Sequence, residues 1–339
     1  MGEIKSWFYQ LTEPQNLVQM PLLINTRELQ DDEIVAETKF TVVSPGTETA
    51  AFMGSAPLRP GVFYPRLVGY CNIAQVIDVG ELIDKVAVND YILTFQSHRT
   101  HFVIKKSDFF LKLPNLVNIH KFTPLYLFHL GYNALLTSPV EFGHNVGIIG
   151  GGVLGVTSSI MARLAGAKTF LFTNQRDSIQ KLEPYNVEIM QKTEKSIELM
   201  KKQTHFIGLD KVINTSNSWE DWFFALNAVN KGGTIVNIGF PGRDQALHSQ
   251  NSLDPQFVYD KNINIKSLCY VSERDVPYFE LRFNMQRNLM FLMDLVMDNS
   301  LDPMGIITNE IHYSELEAQY KSYCKRESYM LSTLVKWND

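Results

Sequence analysis

The stretch VGIIGGGVLGVTSSIMARLAGAKTFLFTN, residues 146–174, constrains the fold more than any other part of the chain. An apolar run is followed by a glycine turn, an amphipathic segment of helical period and a second apolar run. That order is one strand–helix–strand unit, whose two strands must lie parallel in one sheet. The turn itself, Gly150-Gly151-Gly152-Val153-Leu154-Gly155, matches G-x-G-x-x-G. Its first glycine permits the sharp turn, Gly152 lets the backbone approach a pyrophosphate, and Gly155 lets helix and strand pack closely. The following helix N-terminus offers free N–H groups and partial positive charge to phosphates. The turn is therefore expected to bind a dinucleotide. A purely structural glycine turn is the competing reading.

The rest of the chain sorts around this unit. Residues up to about 120 show short apolar alternations, EIVAETKFTVVS, NIAQVIDVG, DYILTF and THFVIKK, broken by Gly, Pro and Asn-Asp turns. A helical run, TPLYLFHLGYNALLTS, leads into the glycine unit. A second alternation follows it: a polar helix over about 176–203, the strand DKVINTS, the helix SWEDWFFALNAVN and the strand GGTIVNIGF. A helix near 277–299 and a mixed segment ending STLVKW close the chain. The methionines Met285, Met290, Met293 and Met297 of that late helix are expected in a core. The pattern predicts an α/β fold with a doubly wound parallel sheet beside a β-rich domain. The expected division is 1–122, 123–268 and 269–339, with the last segment returning to the first.

Bulk properties narrow the function. A net charge of −5 argues against a dedicated nucleic-acid binder. The three cysteines, Cys71, Cys269 and Cys324, form no C-x-x-C pair, which points to a reducing compartment without a zinc knuckle. MGEIKSWFYQLTEPQ is interrupted by polar residues and proline, unlike a signal peptide, and no apolar run reaches the roughly 18 residues of a membrane span. A cytoplasmic protein acting on a small molecule, without membrane or nucleic-acid partners, is expected.

The second apolar run ends Thr173-Asn174-Gln175-Arg176. An acidic residue there would hold the ribose hydroxyls of NAD and repel a 2′-phosphate. Asn174 is neutral, Thr173 and Asn174 can donate hydrogen bonds, and Arg176 can pair with a phosphate. NADP(H) is thus favoured over NAD(H). Alternatively, Arg176 is a surface residue opening the next segment. Thr215 and Gly239, at the ends of the next two strands, complete the candidate cofactor contacts.

The order of parts, with VGIIGGGVLGVTSSIMARLAGA, DKVINTS, KGGTIVNIGF and LDPMGIITNEIHYSELEAQY, resembles the medium-chain dehydrogenase/reductase superfamily over nearly the whole chain. The pattern SPGTE…MGS…YPRLVGY, with the later SHRTHFVI, looks most like the branch typified by bacteriochlorophyllide a dehydrogenase, from which Cys71 departs. The resemblance implies a GroES-like catalytic domain, a Rossmann domain and a cleft between them. It also implies a homodimer in which sheet edges join, with NINIKSLCYV, residues 262–271, placed for that role.

Zinc members of the superfamily place cysteine where Pro45 stands and a His-Glu pair where Tyr70 and Cys71 stand. Ala50 occupies a position often held by a relay histidine, and the four-cysteine structural loop is missing. Proline has no donor for a metal and zinc rarely takes tyrosine, so no zinc is expected. Reduction must then rely on hydride proximity with a proton donor or an oxyanion site. Tyr70 is the candidate donor, or else a buried tyrosine satisfied by a backbone carbonyl. His98, near the expected cleft rim, can relay a proton or be a plain loop histidine. Thr47 matches a hydroxyl that touches nicotinamide or substrate. Glu48 is expected to orient neighbours or to pair with Arg66 or Arg99, and Cys71 to pack in the core. The leading expectation is a zinc-independent oxidoreductase acting on an alcohol or carbonyl, an enone or a quinone. A catalytically silent nucleotide-binding protein of the same fold is the alternative.

Overall fold

The computed structural model describes residues 2–58, 61–175, 182–268, 283–325 and 329–337. The N-terminal part comprises β1 (Glu3–Glu13), β2 (Asn16–Asn25), β3 (Glu33–Val42), α1 (Pro45–Met53), β4 (Arg66–Leu67), β5 (Asn72–Val79), β6 (Tyr91–Thr94), β7 (His101–Lys105) and β8 (Phe110–Lys112). The central part runs through α2 (Leu125–Thr137), β9 (Asn145–Ile149), α3 (Val153–Leu164), β10 (Lys168–Phe172), β11 (Glu188–Met190), α4 (Glu194–Gln203), β12 (Leu209–Asn214), α5 (Trp219–Ala228), β13 (Val229–Asn237) and β14 (Asn264–Ser267). The chain ends with α6 (Met285–Met297), β15 (Ile307–His312), α7 (Leu316–Lys325) and β16 (Ser332–Lys336). It forms two compact units, Met1–Tyr126 with Ser272–Asp339, and Leu127–Val271.

In the first unit, seven strands form one sheet in the order β15-β16-β3-β5-β6-β8, with β7 also on β3. β16 runs antiparallel to β3, with Val335 opposite Thr41 and Lys336 opposite Phe40. That pairing puts C-terminal residues directly beside the start of α1. A second sheet, β2-β1-β4, packs Tyr9, Leu11 and Leu17 into a cluster with Phe52, Tyr320, Val335 and Trp337.

The second unit is a six-stranded sheet of order β11-β10-β9-β12-β13-β14, parallel throughout. β9 lies at its centre with every residue buried, as a parallel strand covered on both faces must be. The order reverses between β9 and β12, so the turn after β9 opens at the switch point where α/β sheets bind ligands. Helix starts are locally encoded: Ser218 accepts from the N–H groups of Glu220 and Asp221 at α5, and Thr193 accepts from Ser196 at α4.

Two expectations are corrected. The polar helix over about 176–203 is instead, from residue 182 on, a short turn, the strand β11 and α4. Pro184 and the left-handed Asn186 (φ 52°) stop a helix there, and VEIM is too brief a strand pattern to stand out. In α6 the core face is Met285, Leu289, Leu292 and Val296, while Met290 and Met297 are 43% and 44% exposed; helical spacing separates the two sets. Residues 277–282 of the expected late helix lie outside the described residues, as do Cys269 and Arg176.

Candidate active site

The glycine turn is built as its sequence requires. Gly150 has φ +105°, which only glycine adopts freely. A Cβ on Gly155 would stand 1.8 Å from the Gly150 carbonyl oxygen, and one on Gly151 would stand 2.4 Å from Thr173 Oγ1. Gly152, which opens α3, has nothing among the described residues within 4 Å of its Cβ direction. It is exposed and caps the helix with no side chain, so Val153 and Leu154 begin α3 beside open space. These residues fit a pyrophosphate: a bare helix N-terminus with room in front of it.

The remaining candidate cofactor residues surround that turn. Thr173 is buried and its Oγ1 accepts the Gln175 N–H at 3.0 Å. Asn174 is exposed, and its Oδ1 accepts the backbone N–H of Lys192 at 3.3 Å. Lys192, unnoticed in the sequence, is tied at 2.6 Å to Asp221. Thr215 donates to the Ile149 carbonyl at 2.8 Å, and its Oγ1 lies 2.7 Å from a Cβ built on Gly150. Gly239 is buried against Ser216, whose carbonyl oxygen lies 2.2 Å from its Cβ direction. It holds two loops together instead of facing solvent.

The candidate catalytic residues all belong to the first unit. Ser44 caps α1 and Pro45 occupies its first position, where a missing N–H costs nothing. Thr47 is exposed on the first turn, while Glu48 points inward at 2% exposure. Tyr70 is half-buried. Burial drives its phenol above the ordinary 10.0, and Cys71 and Glu48 push the same way. Hydrogen bonds with the Ser44 and Thr47 side chains oppose the shift. Both hydroxyls thus bear on the phenol oxygen. Its ring meets Tyr126 edge-on at 5.5 Å, Tyr126 meets Phe95 at 4.7 Å, and Phe95 stacks on Phe109 at 4.6 Å. All four rings are half-buried. Cys71 is buried and its thiol is raised, first by burial and then by Glu48.

His98 was expected at an accessible rim but has no exposure at all. Its Nε2 lies 2.9 Å from Glu48 Oε2 and its Nδ1 2.8 Å from Thr41 Oγ1. Glu48 also accepts the Ser44 N–H at 2.6 Å and the Tyr320 hydroxyl. It pairs with neither expected arginine: Arg66 bonds the Ala51 and Ser55 carbonyls at the end of α1, and Arg99 bonds Ser97. Tyr320 stands 272 residues from Glu48, and no sequence signal links them. The Ser44-to-Glu48 contact resembles half of a capping box, but Glu48 stands four residues after the cap where the motif has its acid at three, so the spacing did not signal it.

The donor set does not fit a zinc centre. Pro45 offers no donor atom, and Glu48 and His98 are turned inward on each other. Among the described residues no three His, Cys, Asp or Glu side chains gather in a way that could hold a metal ion. A cavity of about 370 Å³ lined by Lys39, Phe40, His120, Glu310, Leu334 and Lys336 contains none of the candidate residues. Among the described residues no helix is long and apolar enough to cross a membrane.

No protein-family model matches the chain. The sorbitol dehydrogenase of Bacillus subtilis (strain 168) is 22% identical over 174 residues, which is 48% of this chain and 46% of that protein. The match therefore spans about half the length of that relative. Solved structures align over nearly the whole chain. The 2R,3R-butanediol dehydrogenase of Bacillus subtilis superposes with a TM-score of 0.79 at 13% identity, covering 98% of this chain and 100% of that one. L-idonate 5-dehydrogenase of Escherichia coli K-12 gives 0.80 at 11%, covering 99% of both chains. A protein of Sinorhizobium meliloti 1021, provisionally described as a zinc-binding dehydrogenase and solved bound to NADP, gives 0.77 at 16%, covering 98% and 100%. At such identities the likeness speaks for the fold: this chain has the α/β architecture of these dehydrogenases, with a GroES-like unit and a Rossmann unit.

Proposed function

We propose that the protein is a zinc-independent, NADP(H)-dependent oxidoreductase that reduces or forms the carbonyl of a small conjugated molecule. The observation that carries this reading is the cradle at Gly150–Gly155, with open space at Gly152 before the α3 N-terminus. Bound there, NADP(H) would supply or accept the hydride. Gly150, Gly151, Gly152 and the N–H groups of Val153 and Leu154 would hold the pyrophosphate. Thr173 and the neutral Asn174 would leave the adenosine ribose free to carry a 2′-phosphate.

On the first unit, Tyr70 would donate a hydrogen bond to the substrate oxygen. Burial keeps its phenol protonated, so it serves as a fixed donor toward developing negative charge. Ser44 and the exposed Thr47 orient it. The half-buried rings of Tyr126, Phe95 and Phe109 continue from it, and such a row favours a planar conjugated carbonyl, a quinone or aryl enone, over a polyol. With proline at position 45 and Glu48 turned onto His98, these residues do not suit zinc, and Tyr70 would meet the developing charge without a metal.

Two measurements test the reading: NADPH titration by calorimetry, and NADPH oxidation with menadione, an aryl enone and sorbitol as candidate substrates. Tight NADPH binding with turnover of the conjugated carbonyls supports it. Binding without turnover over the panel would make the protein a silent nucleotide binder.

A further inference from the structure

The Glu48–His98 contact joins two strongly polar side chains, 2% and 0% exposed, that no substrate can touch from solvent. We infer that the pair is a buttress for Tyr70, and that Tyr320 and Trp337 of the C-terminal segment are the positioning residues that complete it. This rests on the reading of Tyr70 as the hydrogen-bond donor to substrate.

The donor inventory fixes the outer bonds of the network. An indole N–H can only donate, so Trp337 Nε1 donates to Thr41 Oγ1 at 2.9 Å. Thr41 Oγ1 also lies 2.8 Å from His98 Nδ1, and His98 Nε2 lies 2.9 Å from Glu48 Oε2. Tyr320 donates to the same oxygen, and the Ser44 N–H fills Oε1 at 2.6 Å. Each of these buried groups thus has a partner in the interior. A buried carboxylate deprived of one donor is costly, so the two C-terminal residues hold the arrangement in one state.

The network reaches Tyr70 by two routes. Glu48 fixes Ser44 through its N–H at 2.6 Å, and Ser44 is one of the two hydroxyls that bear on the Tyr70 phenol. His98 fixes the backbone just before Tyr70: its N–H donates to the Val68 carbonyl at 2.8 Å. Its ring also occupies the space where a Cβ on Gly69 would lie, 2.7 Å away. Gly69 has φ +87°, so the turn that aims Tyr70 is shaped around the imidazole.

The test is NMR of the full-length protein with tyrosine isotopically labelled at Cζ, the Tyr70 signal being identified by its loss in Tyr70→Phe. Tyr320→Phe and Glu48→Gln should each shift that signal, while Tyr323→Phe, one turn along α7 and bonded to Thr333, should not. With menadione and NADPH, Tyr320→Phe should lower turnover about tenfold in the wild-type background and not at all in Tyr70→Phe. A Tyr70 signal unmoved in folded Tyr320→Phe and Glu48→Gln overturns the proposal. So does failure of both variants to fold, which would assign the network to the core alone. If the signal moves but Tyr70→Phe keeps full turnover, the buttress stands and the catalytic reading of Tyr70 falls.

Discussion

Glu48 Oε2 and His98 Nε2 lie 2.9 Å apart in the interior, beside the stretch where zinc members of the resembling superfamily hold their metal. The two residues face each other and not the solvent. Catalysis by this chain is therefore expected to rest on Tyr70 and its two hydroxyl partners. Tyr70→Phe should lower turnover of menadione on the order of a hundredfold to a thousandfold, the usual cost of removing a fixed oxyanion donor. NADPH affinity, measured by calorimetry, should be unchanged.

Gly152 separates folding from binding. A Cβ there meets nothing among the described residues, and its φ of −76° suits any residue. Gly152→Ala should keep stability within about 1 kcal/mol by thermal denaturation. It should weaken NADPH about tenfold or more, because the added methyl stands where the pyrophosphate must approach.

Cofactor choice should follow charge at the end of β10. The neutral Asn174 predicts NADPH over NADH by roughly tenfold to a hundredfold, the worth of one charge-assisted phosphate contact. Asn174→Asp should reverse or abolish that preference. Equal affinity of the unaltered protein for both cofactors would count against the assignment.

Much of this was legible in the sequence and some was not. Continuous apolar runs and fixed-offset glycines are local signals, so the β9–α3–β10 unit could be read directly. The strand β11 could not, since three residues carry too little periodicity. The inward-facing Glu48 and His98 are in contact, directly or through Thr41, with Tyr320 of α7 and with Trp337, the residue after β16. Contacts between residues hundreds of positions apart leave no pattern in a single sequence. In α6, methionine identity misled where spacing would have served: the core runs at 285, 289, 292 and 296.

Stability should fall at both ends of the pH range. The phenols of Tyr70, Tyr320 and Tyr323 are all raised above 10.0, chiefly by burial. The unfolded chain therefore loses those protons first, and their contribution, complete below pH 10, is lost as pH climbs toward the folded values. The slope is about 1.4 kcal/mol per pH unit for each phenol. At the acid end, burial lowers His129 from 6.5 to about 4. The unfolded state then binds the proton more readily, and stability falls from pH 6.5 down to about 4, by about 3 kcal/mol. Denaturant melts across pH would check both limbs, and His129→Gln should flatten the acid one.

Assembly is expected through the edge of the parallel sheet. Among the described residues β14 is its last strand, and all four of its residues, Asn264–Ser267, are exposed; an edge strand of this kind is a template for pairing. Residues 269–271 of the same stretch lie outside the described residues. Light scattering at micromolar concentration should give a dimer, and Ile265→Pro should give a monomer.

Reduction without a metal is tested by NADPH-dependent turnover of menadione after exhaustive dialysis against a chelator, with zinc determined on the same sample. Turnover should equal that of untreated protein, with zinc far below stoichiometric. A stoichiometric zinc whose removal abolishes turnover, and whose return restores it, would make the protein a zinc-dependent enzyme instead.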